Sequence, residues 1–278
     1  MGEKTKKLLK TIGGQTARLL GALYDRSQTT FTLADVEQIT GLRGVSARTL
    51  IHKAANRGLV SRLKPGLFVI VPPELGSTVE YAGNPYLVAR WLAGDAPCFI
   101  SHASAMDIHR MVTQPQLAVF ASSTKRIPNR TIQGTAFHFV LIKRNHFFGT
   151  AKHWVTKQEW VEVSDLERTI LDGLRQPEYC GGVTDVAKGL WMRHKDIQVS
   201  KLVDYALRLG VGAVIRRLGY LLELYALAPA NELARLQKTL TQTYVPLDPM
   251  LPKEGSHVAR WRIRINIPAE ELKGVRET

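Results

Sequence analysis

Cysteine is nearly absent from this chain of 278 residues, with only Cys98 and Cys180 present. Their separation fits neither a metal-ligand nor a redox spacing, so two packing thiols in a reduced, cytoplasmic protein are expected. Long apolar runs are missing too. No stretch of about 18 or more apolar residues occurs, which excludes a spanning helix from the expectation. The opening KKLLKTIGG breaks too early for a signal peptide. Internal repeats, low-complexity tracts and a recognisable catalytic fingerprint are likewise lacking. Acidic residues are in short supply: 24 Asp and Glu stand against 38 Lys and Arg, for a net charge of +14 and a pI near 9.9. An imbalance of that size points to a polyanionic partner. What remains is ordinary. A hydrophobic content of 45% supports a packed core, and 22% charged residues suits a globular chain long enough for two domains.

The positive charge is not spread evenly. Residues 1–75 carry 12 Lys and Arg against 5 Asp and Glu, a net +7 and half of the whole excess. EKTKKLLK, at 3–10, is either a basic arm that follows a phosphate backbone or a solvated, frayed terminus. Residues 15–26 read as a first helix with Leu19, Leu20, Leu23 and Tyr24 on one side. FTLADVEQITG, at 31–41, reads as a second, with Thr32 and Asp35 forming a capping box, Phe31 packing across its start and Gly41 ending it. SARTLIHKAANRG follows, with Ser46 as the expected N-cap and Gly58 as the stop. On it Ala47, Leu50, Ile51 and Ala54 face a core. Arg48 with His52, and Thr49 with Lys53, are spaced four apart and point outward. LVSRL and LFVIV, joined by Lys64-Pro65-Gly66, read as a two-stranded ribbon with a type II turn. Helix, turn, helix and basic ribbon in that order is the pattern of a winged helix–turn–helix, whose second helix enters the DNA major groove. The candidate DNA-binding residues are Arg43, Ser46, Arg48, Thr49, His52, Lys53, Arg57, Arg62 and Lys64.

Pro72-Pro73 and the stretch to Gly83 read as a linker, giving domains at 1–75 and 80–278. Helices are expected at 84–93, about 101–112, 164–175, 184–194, 200–209, 211–227 and 230–243. Strands are expected at 116–122, 135–143, 152–156 and 158–163. Without a regular βαβ period, this mixture predicts an α+β second domain with a helical C-terminal part. Ser164 and Glu167 suggest a capping box. ARWRIRINI, at 259–267, predicts a strand with Trp261, Ile263, Ile265 and Ile267 inward and an arginine ladder outward. Arg260, Arg262 and Arg264, extended by Arg216 and Arg217, form a candidate surface for an acidic partner or RNA. Such a ladder equally serves to blunt a sheet edge.

Enzyme readings find less support. Ser101, His102, Asp107 and His109 lie along one helix, where a triad rarely assembles, and Ser101 is better explained as an N-cap. His138, His146 and His153 have no partners at metal spacing. Glu159, Glu162, Asp165 and Glu167 cross a strand-to-helix junction, as a metal-dependent nuclease would need, yet Asp165 and Glu167 also suit a helix first turn. Arg168 and Asp172 read as an intrahelical ion pair. No metal and no cofactor is expected.

LKPGLFVIVP, ISHASAMDIHRM at 100–111, VEVSDLERTILDGL at 161–174 and IRRLGYLLEL at 215–224, in that order, resemble the AbiEi family of antitoxins of type IV toxin–antitoxin systems. The resemblance implies a cytoplasmic bacterial antitoxin that represses its own operon, through double-stranded operator DNA with inverted repeats. It also implies a second domain that counteracts a co-encoded nucleotidyltransferase-like toxin. Two alternatives stand beside it. One is a plain transcription regulator with a sensor domain; the other is an enzyme, either a nuclease or one that modifies the toxin.

Overall fold

Short helices and strands make up the computed structural model, which describes residues 12–75, 81, 83–112 and 117–277. The basic stretch 3–10, half of the expected linker and Gln116 lie outside the described residues. The architecture is α+β. Two compact units are distinguishable, and neither is continuous in sequence. The first takes Met1–Gly94 with Arg130–Ala136 and His153–Val161; the second takes Asp95–Asn129, Phe137–Lys152 and Glu162–Thr278.

In the first unit, α1 (Gly14–Asp25) buries Leu19, Leu20 and Leu23 but leaves Tyr24 exposed. β1 (Thr30–Thr32) runs into α2 (Leu33–Thr40), where Thr32 and Asp35 cap each other reciprocally and Gly41 closes the helix in the left-handed region. That satisfies orphan donors at one end and carbonyls at the other. α3 (Val45–Asn56) follows after a short turn, then β2 (Val60–Lys64) and β3 (Leu67–Ile70). The sheet order is β1-β3-β2, so a third strand, invisible as a three-residue β-rich run, sits beside the ribbon. Phe31 and Phe68 stack at 5.8 Å across β1 and β3. Together with the apolar faces of the three helices they form one core. α4 (Pro85–Ala93) starts on an Asn84 cap. The two non-contiguous pieces are tied in by polar contacts: Glu159 accepts from the Thr29 N–H at 2.9 Å and hydroxyl at 2.7 Å, and Gln133 donates to Ser61 at 2.6 Å.

A six-stranded sheet, in the order β6-β7-β5-β4-β9-β8, joins β4 (Cys98–Ile100), β5 (Ala118–Ser123), β6 (Arg130–Ile132), β7 (Thr135–Leu141), β8 (Thr150–Trp154) and β9 (Trp160–Ser164). α5 (His102–Ile108) and α6 (Leu166–Arg175) follow β4 and β9. α7 (Val183–Met192), α8 (Val199–Leu209), α9 (Gly212–Leu224) and α10 (Ala230–Gln237) complete the helical part. β10 (Val245–Pro246), β11 (Ser256–Val258) and β12 (Ile263–Ile265) make a small sheet in the order β10-β12-β11, and α11 (Ala269–Gly274) ends the chain's regular structure. Among the described residues no helix is long and apolar enough to cross a membrane.

The cap of α6 differs from the sequence expectation. Asp165, not Ser164, is the N-cap of α6 and accepts from the Arg168 N–H at 2.9 Å. Glu167 leaves the cap altogether, accepting from the Gln198 N–H and pairing with Lys201 at 2.7 Å. A carboxylate that is 3% exposed gains more from a lysine and an amide than from a helix end already satisfied.

Trp261 is wholly buried against α9, its indole N–H donating to Glu223 at 2.5 Å. Gly219 is what lets the ring approach, because a methyl group there would lie inside the van der Waals shell of the indole. Gly219→Ala should therefore destabilise the protein by about 1–3 kcal/mol, despite the better helix propensity of alanine. Urea unfolding checks this, and a variant as stable as the parent would mean the ring moves aside.

Candidate nucleic-acid interface

α3 is held by its turn. Gly44 is the N-cap with φ of +54°, and its N–H donates to the Glu37 side chain at 2.9 Å. Ser46 is therefore not the cap; it stands two residues further in, exposed. The helix then divides cleanly. Ala47, Ile51 and Ala54 are buried, whereas Arg48, Thr49, His52 and Lys53 are all exposed on the opposite side. Arg43 is exposed in the turn and Arg57 is half-buried just past the helix. His52 Nε2 lies 3.2 Å from the Asn56 amide, one helical turn on. Between Glu37 and Glu74 the sequence contains no carboxylate side chain, so α3 and the ribbon carry none of their own.

The ribbon contributes unequally. Arg62 is exposed opposite Phe68, and a register shift between Arg62 and Lys64 bulges the strand there. Gly66 has φ of +79°, which the turn after Pro65 requires of a glycine. Lys64 behaves differently from expectation. Its ammonium donates to the Trp91 carbonyl at 2.9 Å, and burial, with Arg130 nearby, holds its pKa below the usual lysine value. The carbonyl thus takes up the group that the sequence assigns to phosphate. Arg62 is left as the freer cation of the ribbon.

α3 and the ribbon enclose a cleft of about 570 Å³. Leu33, Ile51, Ala55 and Phe68 line it with Arg48, His52 and Arg62. The periodicity of α3 assigns Ile51 to the core but does not reveal that the outer edge of that position opens into a cleft.

The second candidate surface does not assemble. Arg216 and Arg217 are 3% and 4% exposed. Arg216 donates to the Gly212 and Thr241 carbonyls and the Thr241 hydroxyl; Arg217 donates to the Leu174 and Pro246 carbonyls. They bind together α9, α6 and the strand β10 and are absent from the surface. The arginine ladder is also broken. Ala259–Trp261 is a 3-10 turn and Arg262 takes φ of +49°, so period two holds only over β12, a central strand rather than an edge. Arg260 pairs with Glu223 at 2.7 Å, Arg262 stacks on Tyr244, and Arg264 donates to His257 and the Lys253 carbonyl.

The suspected catalytic sets disperse. Asp165 caps α6, Glu167 pairs with Lys201, and Glu159 binds Thr29. Among the described residues no three His, Cys, Asp or Glu side chains gather as a metal site requires. Ser101 occupies the N-cap position of α5, but its hydroxyl makes no cap bond and instead meets His102 Nδ1 and the Ser122 hydroxyl, each at 2.9 Å. His109 Nε2 reaches the Ser164 carbonyl at 2.7 Å. His102 is buried with φ of +52°, and His146 is buried beside Arg168 and Arg175. Burial lowers both pKa values, and for His146 the neighbouring arginines and Lys143 lower it further. The unfolded chain then binds more protons than the folded one below the ordinary histidine pKa of about 6.5. Stability should fall as pH drops through that value, and His146→Phe should flatten the fall measured by urea titration. A parallel pH curve for the variant would exclude His146 as a source.

No family model and no curated protein sequence matches the chain. Among solved structures it is similar to the crystal structure of the RV2827C protein from Mycobacterium tuberculosis, with a TM-score of 0.71 at 16% identity over 99% of this chain and 98% of that one. The likeness is one of fold. It covers residues of both units.

Proposed function

We propose that the first unit is a winged helix–turn–helix that binds double-stranded DNA, with α3 in the major groove and Arg62 on the flanking backbone. One observation carries this reading: Arg48, Thr49, His52 and Lys53 form an exposed row with no carboxylate among them, next to a ribbon on which Arg62 is exposed. Side chains of these types along an exposed helix face read base edges, and a strand beside the groove meets phosphate first. On the family resemblance, the protein is a cytoplasmic autorepressor and antitoxin, bound to its own operator, whose second unit counteracts a nucleotidyltransferase-like toxin without catalysis of its own.

Arg62→Ala should weaken binding to operator and random duplex alike, and shallow the salt dependence by roughly one unit of slope. Fluorescence anisotropy across a salt series tests it; loss confined to the operator would place Arg62 on bases. The antitoxin half is tested in the full chain, since a cut near residue 75 would separate Thr29 from Glu159. A variant that no longer binds DNA should still restore growth to cells expressing the adjacent toxin. Failure of that rescue by a folded variant would reduce the mechanism to repression.

A further inference from the structure

The cleft between α3 and the ribbon differs from a plain DNA-contacting face in its lining. Its volume, about 570 Å³, falls within the range of roughly 300–1,000 Å³ typical of small-molecule sites. Leu33, Ile51, Ala55 and Phe68 give it an apolar floor, and that floor is part of the packed core, with Ile51 2% exposed and Phe68 9%. A floor of that kind is preformed and does not need a ligand to shape it. Arg48 and Arg62 stand among the lining residues without a carboxylate partner among the described residues, and His52 completes the polar part. An apolar body with one anionic group is complementary to this lining: the body covers the floor, and the carboxylate meets a guanidinium fork. A deoxyribose-phosphate strand, polar along its edges, would leave the floor uncovered.

We propose that this cleft binds a small organic anion, an aromatic carboxylate, and that its occupancy excludes DNA. The exclusion follows from shared residues, because Arg48 and His52 belong both to the cleft and to the exposed row of α3. A ligand carboxylate on Arg48 withdraws that side chain from the bases, and a ligand seated against the ribbon occupies the space the backbone would approach. Binding and exclusion are linked free energies, so DNA must weaken the ligand by the same factor as the ligand weakens DNA. Ligand binding itself does not depend on the DNA-binding reading; only the exclusion rests on it.

The full-length protein is titrated calorimetrically with 1-naphthoate, and with neutral 1-naphthamide as control. Saturable naphthoate binding is expected, at least tenfold tighter than the amide. Arg62→Gln, an exposed substitution, should weaken naphthoate at least tenfold. Ala55→Trp, which fills the cleft, should abolish it while the thermal unfolding transition is retained. Equal binding of acid and amide, an unaffected Arg62→Gln, or no saturable binding would overturn the proposal. In a second arm, naphthoate should release a short duplex from the protein. Naphthoate bound together with an undisturbed duplex overturns the exclusion. A protein that binds naphthoate as expected but no duplex overturns the DNA-binding reading and leaves the ligand site standing.

Discussion

Replacing Asp172 by alanine is expected to destabilise the protein by about 3–5 kcal/mol, a large share of the stability of a domain. Arg168 is fully buried and Asp172 nearly so, 1% exposed, and they pair at 2.9 Å along α6. The guanidinium lies over the rings of Phe148, at 4.7 Å, and Phe99, at 5.5 Å, and donates to the His146 and Phe148 carbonyls. Asp172 is its carboxylate partner, so truncation leaves a buried cation held by carbonyls and ring faces alone. The desolvation cost of that charge, which the pair offsets, then falls on the folded state. Replacing both residues by apolar ones, as in Arg168→Met with Asp172→Leu, should recover much of the loss, because neither charge is then buried. Urea unfolding of the three variants measures this. A single Asp172→Ala variant within 1 kcal/mol of the parent would mean that water reaches Arg168.

Truncating the exposed row of α3 should have the largest functional effect. Arg48→Ala alone is expected to lose about 1–3 kcal/mol of operator affinity and to relax the preference at one base position. The reason is positional: Arg48 is exposed near the start of α3, the end that base contacts would use in the proposed helix–turn–helix. Arg48 and Lys53 changed together should reduce operator binding to the non-specific level, provided the fold holds. It should hold, since both side chains point away from Ala47, Ile51 and Ala54. Unchanged affinity and unchanged ranking of sequences would put a different element in the groove.

The mixed α+β class, and most helix positions in both units, were legible because amphipathic spacing and glycine stops are local signals. Thr32 with Asp35, and Gly41, are the clearest cases. The failures share a cause: they depend on partners distant in sequence. Nothing near Arg216 and Arg217 announces that the carbonyls of Leu174, Thr241 and Pro246 will receive them inside the protein. Arg168 with Asp172 is readable as an i,i+4 pair, but its burial is not. The segment 259–267 alternates in sequence as a strand does, yet Trp261, Ile263 and Ile267 reach the interior through a 3-10 turn and a left-handed residue. Ser46 and Ser164 are good cap types displaced by neighbours, Gly44 because its backbone fits a positive φ and Asp165 because its side chain reaches the third amide. On α3 itself the inward and outward residues are as the periodicity predicts, since one helix face is decided by its own spacing.

The proposed function places α3 on DNA. Its most direct test is anisotropy titration of the full chain onto duplex from upstream of its own reading frame and onto a scrambled duplex of equal length, at two salt concentrations, with Arg48→Ala in parallel. The parent should prefer the upstream duplex, salt should weaken both complexes, and Arg48→Ala should lose most of the preference while keeping non-specific binding. A parent that binds the two duplexes equally, or a variant whose preference is intact, would contradict it.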